Sequence, residues 1–469
     1  MIKSPCPGII ISAFKGGSGK TILSLGLVGA FYQKGVSILP FKKGPDYIDA
    51  SWLAMAAGHP CYNLDPFLME KDVIVASYMY RSRKGDMAVA EGNRGLYDGV
   101  DEAGTCSTAE LAKLLKLPVI LVIDCTKMTR TAAALVLGCK DLDPDVDIAG
   151  CVLNQVARTR HEDIVRNTIE HYTDVPVLGA LPRMKKDPLP MRHLGVVPCE
   201  EHPAARVVLD NVIELVRDHV DIDGITRVAG RAGMLEWPWP ERRTLYDSPE
   251  SRPVRIGVFK DEAFQFYYPE NLEALESAGA KLVFLNSLTS ESLSGVDALY
   301  IGGGFPETQA AHIAERTSFL SSVKAFAEQG GPIYAECGGL MFLGGAIEYK
   351  GVRYNMAGVL PWDFVVGRRP QGHGYTVLEA CEDNPYYKSG ELIRGHEFHY
   401  SRPVGLTPED SKSYFSCKVL RGHGFDGLHE GLVYKNVFGT YTHTHALENT
   451  VWADRLISVA ENYKSHFTK

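Results

Sequence analysis

The fold of the first half of the chain is decided by the stretch Ile9-Ile10-Ile11-Ser12-Ala13-Phe14-Lys15-Gly16-Gly17-Ser18-Gly19-Lys20-Thr21. A β-branched run passes into a glycine-rich loop and then into a helix start, which is typical of phosphate-binding loops. Loop N–H groups are expected to surround phosphate oxygens, Lys20 to add positive charge, and the Thr21 hydroxyl to bind Mg²⁺. The predicted residues of this ATP site are Gly16, Gly17, Ser18, Gly19, Lys20 and Thr21.

A second polar segment, Phe41-Lys42-Lys43-Gly44-Pro45-Asp46-Tyr47-Ile48-Asp49, follows the second predicted strand. Ligands of open parallel sheets bind at the carboxyl ends of the strands, where this segment begins. We predict that Lys42 contacts phosphate or a substrate carboxylate. Asp46 and Asp49 are candidates for holding Mg²⁺ or contacting the substrate. The alternative is a solvated loop.

A third segment is the apolar run 87–90, which ends in Glu91 and a glycine-rich loop that contains Asp98. Folds of this kind present a metal-binding acid beside the phosphates in this way, so Glu91 is the second predicted Mg²⁺ ligand after Thr21, together with Asp46. Asp98 is a candidate for substrate contact. The alternative for Asp98 is a turn former, because Asp before Gly often closes a turn.

Two domains are predicted from the pattern of strands and helices. From residue 8 to about residue 179 short β-branched runs alternate with helical segments, which indicates a doubly wound, mostly parallel sheet. The run Trp237-Pro238-Trp239-Pro240 cannot continue a helix or a central strand, and the alternation restarts at residue 255. We therefore predict an α/β protein with domains at 1–222 and 253–469 and a linker at 223–252.

Length and composition favour a folded two-domain enzyme. A chain of 469 residues exceeds what one core usually supports, and its net charge of −8 with no long basic run argues against nucleic acid or a membrane as partner. The 10 cysteines lie at irregular spacings that indicate neither a zinc site nor a disulfide framework. With no targeting signal or membrane span recognised, a cytoplasmic location is predicted.

A candidate nucleophile lies in Gly331-Pro332-Ile333-Tyr334-Ala335-Glu336-Cys337-Gly338-Gly339-Leu340. Cys337 stands between a predicted strand and an apolar helix, with glycines behind it. A sharp turn there would expose the sulfur, and the helix N-terminus is expected to lower the thiol pKa and help form an oxyanion hole. A buried structural cysteine is the alternative, and it is the interpretation adopted for the other nine cysteines.

An acyl-enzyme mechanism at Cys337 needs a base, and Tyr441-Thr442-His443-Thr444-His445 supplies two histidines after an apolar strand. His443 is the first choice and His445 the second; on a strand both would share one face, so the alternative stays open. The strand at 298–301 leads into a glycine loop at 302–304, whose small residues would let backbone donors approach a glutamine carbonyl.

These segments together resemble cobyrinic acid a,c-diamide synthase, a class I glutamine amidotransferase fused to a dethiobiotin-synthetase-like ATPase, over nearly the full length. The matching segments are Ser18-Gly19-Lys20-Thr21, Phe41-Lys42-Lys43-Gly44-Pro45-Asp46-Tyr47-Ile48-Asp49, Glu91-Gly92, Gly95-Leu96-Tyr97-Asp98-Gly99, Arg192-His193-Leu194-Gly195, Gly302-Gly303-Gly304-Phe305-Pro306-Glu307, Glu336-Cys337-Gly338-Gly339, Glu397-Phe398-His399-Tyr400-Ser401 and Tyr441-Thr442-His443-Thr444-His445.

The resemblance implies a flavodoxin-like amidotransferase domain at the C-terminus and amidation of the a and c acetates of cobyrinic acid, with ATP, Mg²⁺ and glutamine consumed. It also implies a Cys–His pair without the usual third acid of a triad. A polycarboxylate tetrapyrrole needs cations, which Arg192 and His193 are predicted to supply, with a solvated basic loop as the alternative. Asn154 is predicted to contact the adenine edge.

Two features of the chain leave alternatives open. Asn93-Arg94 stands where the family usually has an apolar or small pair, which indicates a shifted substrate preference. The same-class alternative is amidation of a related tetrapyrrole such as nickel sirohydrochlorin, on the way to coenzyme F430, since relatives in methanogens look similar throughout. Lys15 gives the loop the form seen in chromosome-partitioning ATPases, in which that lysine reaches across a dimer. A homodimer therefore stays open, as does a partition-type, ATP-switched binding protein with an inactive glutaminase domain.

Overall fold

A computed structural model describes residues 3–4, 6–184, 189, 191–192, 195–238, 245, 254–407, 414–449 and 451–467. The chain forms two compact units, Met1–Leu245 and Tyr246–Lys469. Within the described ranges, every helix is too short or too polar to cross a membrane.

The first unit is built on a seven-stranded parallel sheet of order β4-β3-β5-β2-β6-β7-β8. Its central strands are buried on both faces, which explains why they appear in the sequence as continuous apolar runs. The strands are β1 Lys3–Ser4, β2 Gly8–Ala13, β3 Ile38–Lys43, β4 Tyr62–Leu64, β5 Met87–Glu91, β6 Val119–Asp124, β7 Ile148–Val156, β8 Val177–Pro182, β9 Met191–Arg192, β10 Gly195–Val196 and β11 Leu235–Glu236. The helices are α1 Lys20–Gln33, α2 Ile48–Ala57, α3 Lys71–Ser82, α4 Thr108–Leu115, α5 Thr131–Leu142, α6 Thr159–Thr173, α7 Ala205–His219 and α8 Ile222–Ala229, with a 3-10 turn at Cys199–Glu201.

The start of the predicted linker is helical. Helix α8 occupies Ile222–Ala229, although the linker was predicted to begin at residue 223. The Asp221 side chain caps the helix by accepting from Gly224 N at 2.8 Å, and Ile225 and Val228 are buried. The capping Asp followed by an apolar face is the sequence signal of this helix.

The second unit contains a ten-stranded sheet of order β13-β12-β14-β15-β24-β23-β22-β19-β20-β25 and a four-stranded sheet of order β17-β16-β18-β21. The strands are β12 Arg255–Phe259, β13 Lys281–Leu285, β14 Ala298–Ile301, β15 Ile333–Glu336, β16 Ala346–Tyr349, β17 Val352–Asn355, β18 Asp363–Val366, β19 Gly372–Ala380, β20 Leu392–His399, β21 Ser401–Val404, β22 Phe415–Arg421, β23 His429–Tyr434, β24 Val437–Thr440 and β25 His443–Thr444. The helices are α9 Pro269–Ser277, α10 Ala310–Glu315, α11 Thr317–Glu328, α12 Gly338–Leu343 and α13 Trp452–Phe467, with a 3-10 turn at Pro306–Thr308.

The large sheet of the second unit is parallel on one side and antiparallel on the other. Strands β13, β12, β14, β15 and β24 run parallel, whereas β23, β22, β19, β20 and β25 join by antiparallel pairings. The sequence pattern predicted the parallel part only. Strand β15 pairs with β24, which brings together two segments about one hundred residues apart in the chain.

Two glycines let helices α1 and α7 approach closely in the first unit. A Cβ atom at Gly26 would lie 2.2 Å from Val216 Cγ2, and one at Gly29 would lie 2.3 Å from Ile213 Cδ1. Both glycines are buried within α1, so a larger side chain would have to push the helices apart.

Gly26→Ala is expected to lower the free energy of unfolding by roughly 1–3 kcal/mol because it overpacks this contact. The matched control is Gly138→Ala on the exposed face of α5, where a Cβ atom meets nothing within 4 Å. That change is expected to stabilise by about 1 kcal/mol through helix propensity. Chemical denaturation of both variants measures the difference, and equal effects would contradict the packing argument.

Candidate active sites

A buried lysine organises the carboxyl edge of the sheet in the first unit. Lys42 Nζ donates to Asp49 Oδ2 at 2.6 Å and to Glu91 Oε1 at 2.7 Å, and Asp46 Oδ2 lies 3.6 Å away. Thr21 Oγ1 donates to Glu91 Oε1 at 2.9 Å. Burial alone would lower the pKa of Lys42, but the carboxylates hold it well above its usual value. The structure therefore gathers residues predicted from three separate segments around one cation.

Glu91 keeps one carboxylate oxygen unused. Its Oε2 is buried and accepts no hydrogen bond from the described residues. An unsatisfied buried oxygen is unfavourable, and a carboxylate beside a hydroxyl suits Mg²⁺. Burial, and after it the neighbouring Asp49, raise the pKa of Asp46 to about 7, which a bound cation would reverse.

The protein supplies only part of the set of ligands that Mg²⁺ needs. Among the described residues, no group of three or more His, Cys, Asp and Glu side chains is arranged to hold a metal. Mg²⁺ usually keeps one or two carboxylates and takes its remaining ligands from phosphates and water. Thr21 and Glu91, with Asp46, fit such a shared site, in which the nucleotide would complete the coordination.

Lys20 lies at the start of α1, where the loop turns into the helix. Its Nζ donates to Arg94 O at 2.6 Å and to Lys15 O at 3.4 Å. Burial lowers the pKa of Lys20, and the nearby carboxylates Glu91 and Asp49 oppose that shift. The ammonium is thus held over the loop by neutral carbonyl oxygens, which an anionic phosphate can replace.

Asn154 supports the loop from strand β7. Its Nδ2 donates to Ser18 O at 2.8 Å, and its Oδ1 accepts from Gln155 N at 2.9 Å. Gly19 has φ 98°, and a Cβ there would lie 2.2 Å from Asn154 Nδ2, so only glycine fits. The prediction placed Asn154 at the adenine edge, whereas its side-chain amide is used here to hold the phosphate-binding loop.

Of the predicted substrate-contacting residues, the structure describes the side chain of Asp98 but not those of Arg192 and His193. Asp98 Oδ2 accepts from Gly95 N at 2.8 Å, which is the turn-forming role foreseen as the alternative. Arg192 lies in β9, which pairs with β10 in a short antiparallel ladder. The Arg192 side chain and all of His193 lie outside the described residues.

Cys337 sits on a tight turn between β15 and α12. Its φ of 47° and ψ of −96° are unfavourable for a residue with a side chain, which is the hallmark of a nucleophile elbow. Cys337 N donates to Thr440 O at 2.7 Å, and Gly339 N donates to Gly302 O at 3.1 Å. These bonds fasten the turn to β24 and to the 302–304 loop. The predicted strand–turn–helix geometry is present.

The electrostatics of Cys337 differ from the prediction. Burial, followed by the negative charge of Glu307, raises the pKa of the thiol well above its usual range, and the N–H of Gly338 opposes this only in part. Helix α12 has six residues, so its N-terminus offers little positive potential. The thiol therefore needs a base that removes its proton during the attack.

The two candidate bases face different carboxylates. His443 Nδ1 lies 3.4 Å from Glu336 Oε2, whereas His445 Nε2 lies 3.7 Å from Glu270 Oε2. A Cβ at Gly303 would lie 2.5 Å from His443 Cε1, so His443 touches the loop that also binds the elbow. His445 is fully buried beside the Tyr268 ring at a centroid distance of 4.5 Å. The geometry favours His443; sequence reasoning missed its partner Glu336.

Among the described residues the cysteines form no disulfide, and each of the other buried cysteines for which a shift is resolved has its pKa raised by burial. This agrees with the structural interpretation of those cysteines. Cys337 is buried like these other cysteines. It differs from them by its strained turn and by the glycines that surround it.

A phosphate-binding loop in one unit and a nucleophile elbow in the other define a nucleotide-binding domain joined to a glutamine amidotransferase domain. Residues 9–196 match the CobQ/CobB/MinD/ParA nucleotide binding domain, and residues 255–451 match the CobB/CobQ-like glutamine amidotransferase domain. The predicted α/β fold class is confirmed.

Similar proteins extend the match to the whole chain. Cobyrinate a,c-diamide synthase of Magnetococcus marinus is 40% identical over 95% of this chain and 96% of its own. Those of Archaeoglobus fulgidus, 40% identical over 98% of both chains, and Methanosarcina acetivorans, 37% identical over 98% and 96%, are similar. The chain belongs to the cobyrinate a,c-diamide synthase family. The predicted family is confirmed, and so is the prediction of an enzyme.

Proposed function

We propose that this protein amidates the a and c acetate side chains of cobyrinic acid in cobalamin biosynthesis, with ATP as the activating reagent and glutamine as the nitrogen donor. The observation that carries the proposal is that one chain, similar over 95% of its length to a cobyrinate a,c-diamide synthase, contains both a Lys42-centred phosphate-loop cluster and a nucleophile elbow at Cys337, which is bonded to the 302–304 loop that His443 also contacts. Each cluster matches one half of the reaction.

The first half of the reaction activates a carboxylate, which is a poor electrophile. A substrate carboxylate oxygen attacks the γ-phosphorus of ATP, ADP leaves, and an acyl phosphate is formed. Lys20 would stabilise the phosphate charge, and the loop N–H groups would orient the phosphates. When bound at Thr21, Glu91 and Asp46, Mg²⁺ would neutralise phosphate charge. Lys42 keeps three carboxylates close together despite their repulsion.

The second half releases ammonia from glutamine. His443 accepts the Cys337 proton as sulfur attacks the side-chain carbonyl of glutamine, and the resulting imidazolium returns the proton to the departing nitrogen. The N–H of Gly338, which already approaches the sulfur, supports the developing oxyanion. Water then hydrolyses the thioester. Ammonia attacks the acyl phosphate carbon, and inorganic phosphate leaves with the amide formed.

The decisive test incubates the protein with ATP, Mg²⁺, glutamine and one tetrapyrrole at a time, and measures the product mass. Two amide groups added to cobyrinic acid are expected. The same gain on nickel sirohydrochlorin alone would move the proposal to coenzyme F430 synthesis. ATP hydrolysis without amide formation on either compound would contradict an amidating function.

Glu91→Gln is expected to raise the Mg²⁺ concentration for half-maximal amidation by at least about tenfold, because it removes a charged ligand oxygen. Binding of a fluorescent ATP analogue should show the same shift in Mg²⁺ dependence, which gives a readout independent of turnover. Asp101→Asn, at an exposed turn of the same unit, is the matched control and should leave the Mg²⁺ dependence unchanged. An unaltered Mg²⁺ dependence for Glu91→Gln would contradict the metal assignment.

A further inference from the structure

A fully buried carboxylate immediately precedes the nucleophile. Glu336 is the last residue of β15, and both of its oxygens are engaged. Oε1 accepts from Thr444 N at 3.2 Å and from Thr444 Oγ1 at 3.0 Å, while Oε2 accepts from Tyr300 Oη at 3.4 Å and lies 3.4 Å from His443 Nδ1. Burying a charge costs free energy unless the charge is paired in this way. The groups that Glu336 contacts therefore indicate its role.

The sheet topology explains why this acid meets the base. Strand β15 lies parallel to β24, with Glu336 in register with Thr440. The chain then passes through two residues into β25, where His443 pairs with His396 of β20. The nucleophile follows the end of one strand and the base lies just beyond the neighbouring strand, so the Glu336 side chain, one residue before Cys337, reaches His443. No separate acidic residue on the histidine segment is needed.

The carboxylate is held in a fixed orientation from behind. Asn271 Nδ2 donates to Tyr300 Oη at 3.0 Å and to Thr444 O at 2.9 Å, so the Tyr300 hydroxyl is left to donate to Glu336. All four residues are buried. A carboxylate whose other contacts are fixed can orient an imidazole more strictly than a mobile one.

We propose that Glu336 is the positioning residue of the glutaminase site: it accepts the Nδ1–H of His443 and so directs the Nε2 lone pair toward Cys337. This inference rests on the proposed function of Cys337 and His443. The hydrogen bond selects the tautomer that can take the thiol proton, and the negative charge stabilises the imidazolium that forms. Family resemblance implied a Cys–His pair without a third acid. Here the strand that carries the nucleophile supplies one.

The His396 ring also faces His443 and adds no charge of its own. The His396 ring stacks on His443 at a centroid distance of 4.9 Å, and Tyr268 Oη lies 3.2 Å from His396 Nδ1. Burial, followed by His443 and His445, keeps the pKa of His396 well below its usual value, so His396 stays neutral. The positive charge that forms on His443 when it takes the Cys337 proton would therefore face the Glu336 carboxylate, 3.4 Å from Nδ1.

The test is Glu336→Gln in the full-length protein, assayed for glutamine hydrolysis in the complete reaction mixture. The amide nitrogen of Gln would donate to Nδ1 and favour the tautomer with a proton on Nε2, so kcat is expected to fall by about 10³- to 10⁴-fold with KM little changed. In the residual activity, the pH inflection of the histidine should move to lower pH, because the imidazolium has lost its stabilising charge. Amidation driven by added ammonium should continue.

Two further variants make the result specific. Glu336→Asp keeps the charge and is expected to recover activity over Glu336→Gln, which a purely structural role would not require. Asp426→Asn is the matched control, since Asp426 Oδ2 also lies close to a histidine nitrogen of the same unit, at 2.8 Å from His429 Nδ1. The control is expected to keep the wild-type pH inflection.

A Glu336→Gln variant with wild-type kcat and pH profile would overturn the inference. If that variant does not fold, the Asp variant decides, and a folded Asp variant as inactive as Cys337→Ser would overturn it equally. Failure of the proposed function itself looks different: the wild-type protein would hydrolyse no glutamine, or Cys337→Ser would hydrolyse it normally, whatever the state of Glu336.

Discussion

Replacing Cys337 by serine is expected to abolish glutamine-dependent amidation, by about 10⁴-fold or more, while amidation driven by ammonium continues. A serine hydroxyl is far less acidic than a thiol and is the weaker nucleophile at neutral pH. The elbow lies in the second unit, whereas the acyl phosphate is expected at the Lys42 cluster of the first unit. Ammonia supplied from solution should bypass the lost step.

The measurement is amide product by mass, with glutamine or with ammonium chloride at a pH high enough to supply free ammonia. Cys417→Ser is the matched control, because Cys417 is a buried cysteine of the same unit whose pKa burial raises to about 12. It is expected to keep glutamine-dependent activity. Loss of both activities in a folded Cys337→Ser protein would contradict the assignment of two separate sites.

Much of the first unit could be predicted from the sequence because its signals are local. A β-branched run, a glycine loop and a helix start stand next to one another in 9–21, and the polar residues Lys42 and Glu91 directly follow apolar strands. Parallel strands bring their carboxyl ends to one edge, so residues far apart in sequence were expected to meet there. Lys42 lies at the centre of this group of residues. The sequence does not show this, because it depends on which carboxylates come to lie around the Lys42 ammonium in the fold.

The parts that were missed depend on distant contacts. The five antiparallel strands of the large sheet in the second unit are set by pairings such as β19 with β20, which periodicity alone does not reveal. The raised pKa of Cys337 comes from burial, a property of the assembled core. Glu336 was assigned no role, because it acts through His443, a neighbour that only the fold supplies.

Lys20→Ala is expected to stop amidation with glutamine and with ammonium alike, by at least about 10³-fold, because the phosphate charge that develops during transfer loses its nearest cation. Among the residues that the structure describes, Lys20 Nζ donates only to the carbonyl oxygens of Arg94 and Lys15. Its charge is therefore available to a phosphate, whereas the charge of Lys42 is already shared among carboxylates.

A lysine near the other end of the same helix provides the control for Lys20→Ala. Lys34→Ala removes a cation just beyond the other end of α1, where Lys34 forms a surface ion pair with Asp223 at 3.7 Å, and it should leave both activities intact. Binding of a fluorescent ATP analogue separates weak binding from slow transfer. If Lys20→Ala formed amide from ammonium at the wild-type rate, phosphate activation would have to take place away from this loop, and the site proposed for ATP would be wrong. If Lys20→Ala lost only the glutamine-dependent activity, Lys20 would be needed for the supply of ammonia from glutamine and not for phosphate transfer.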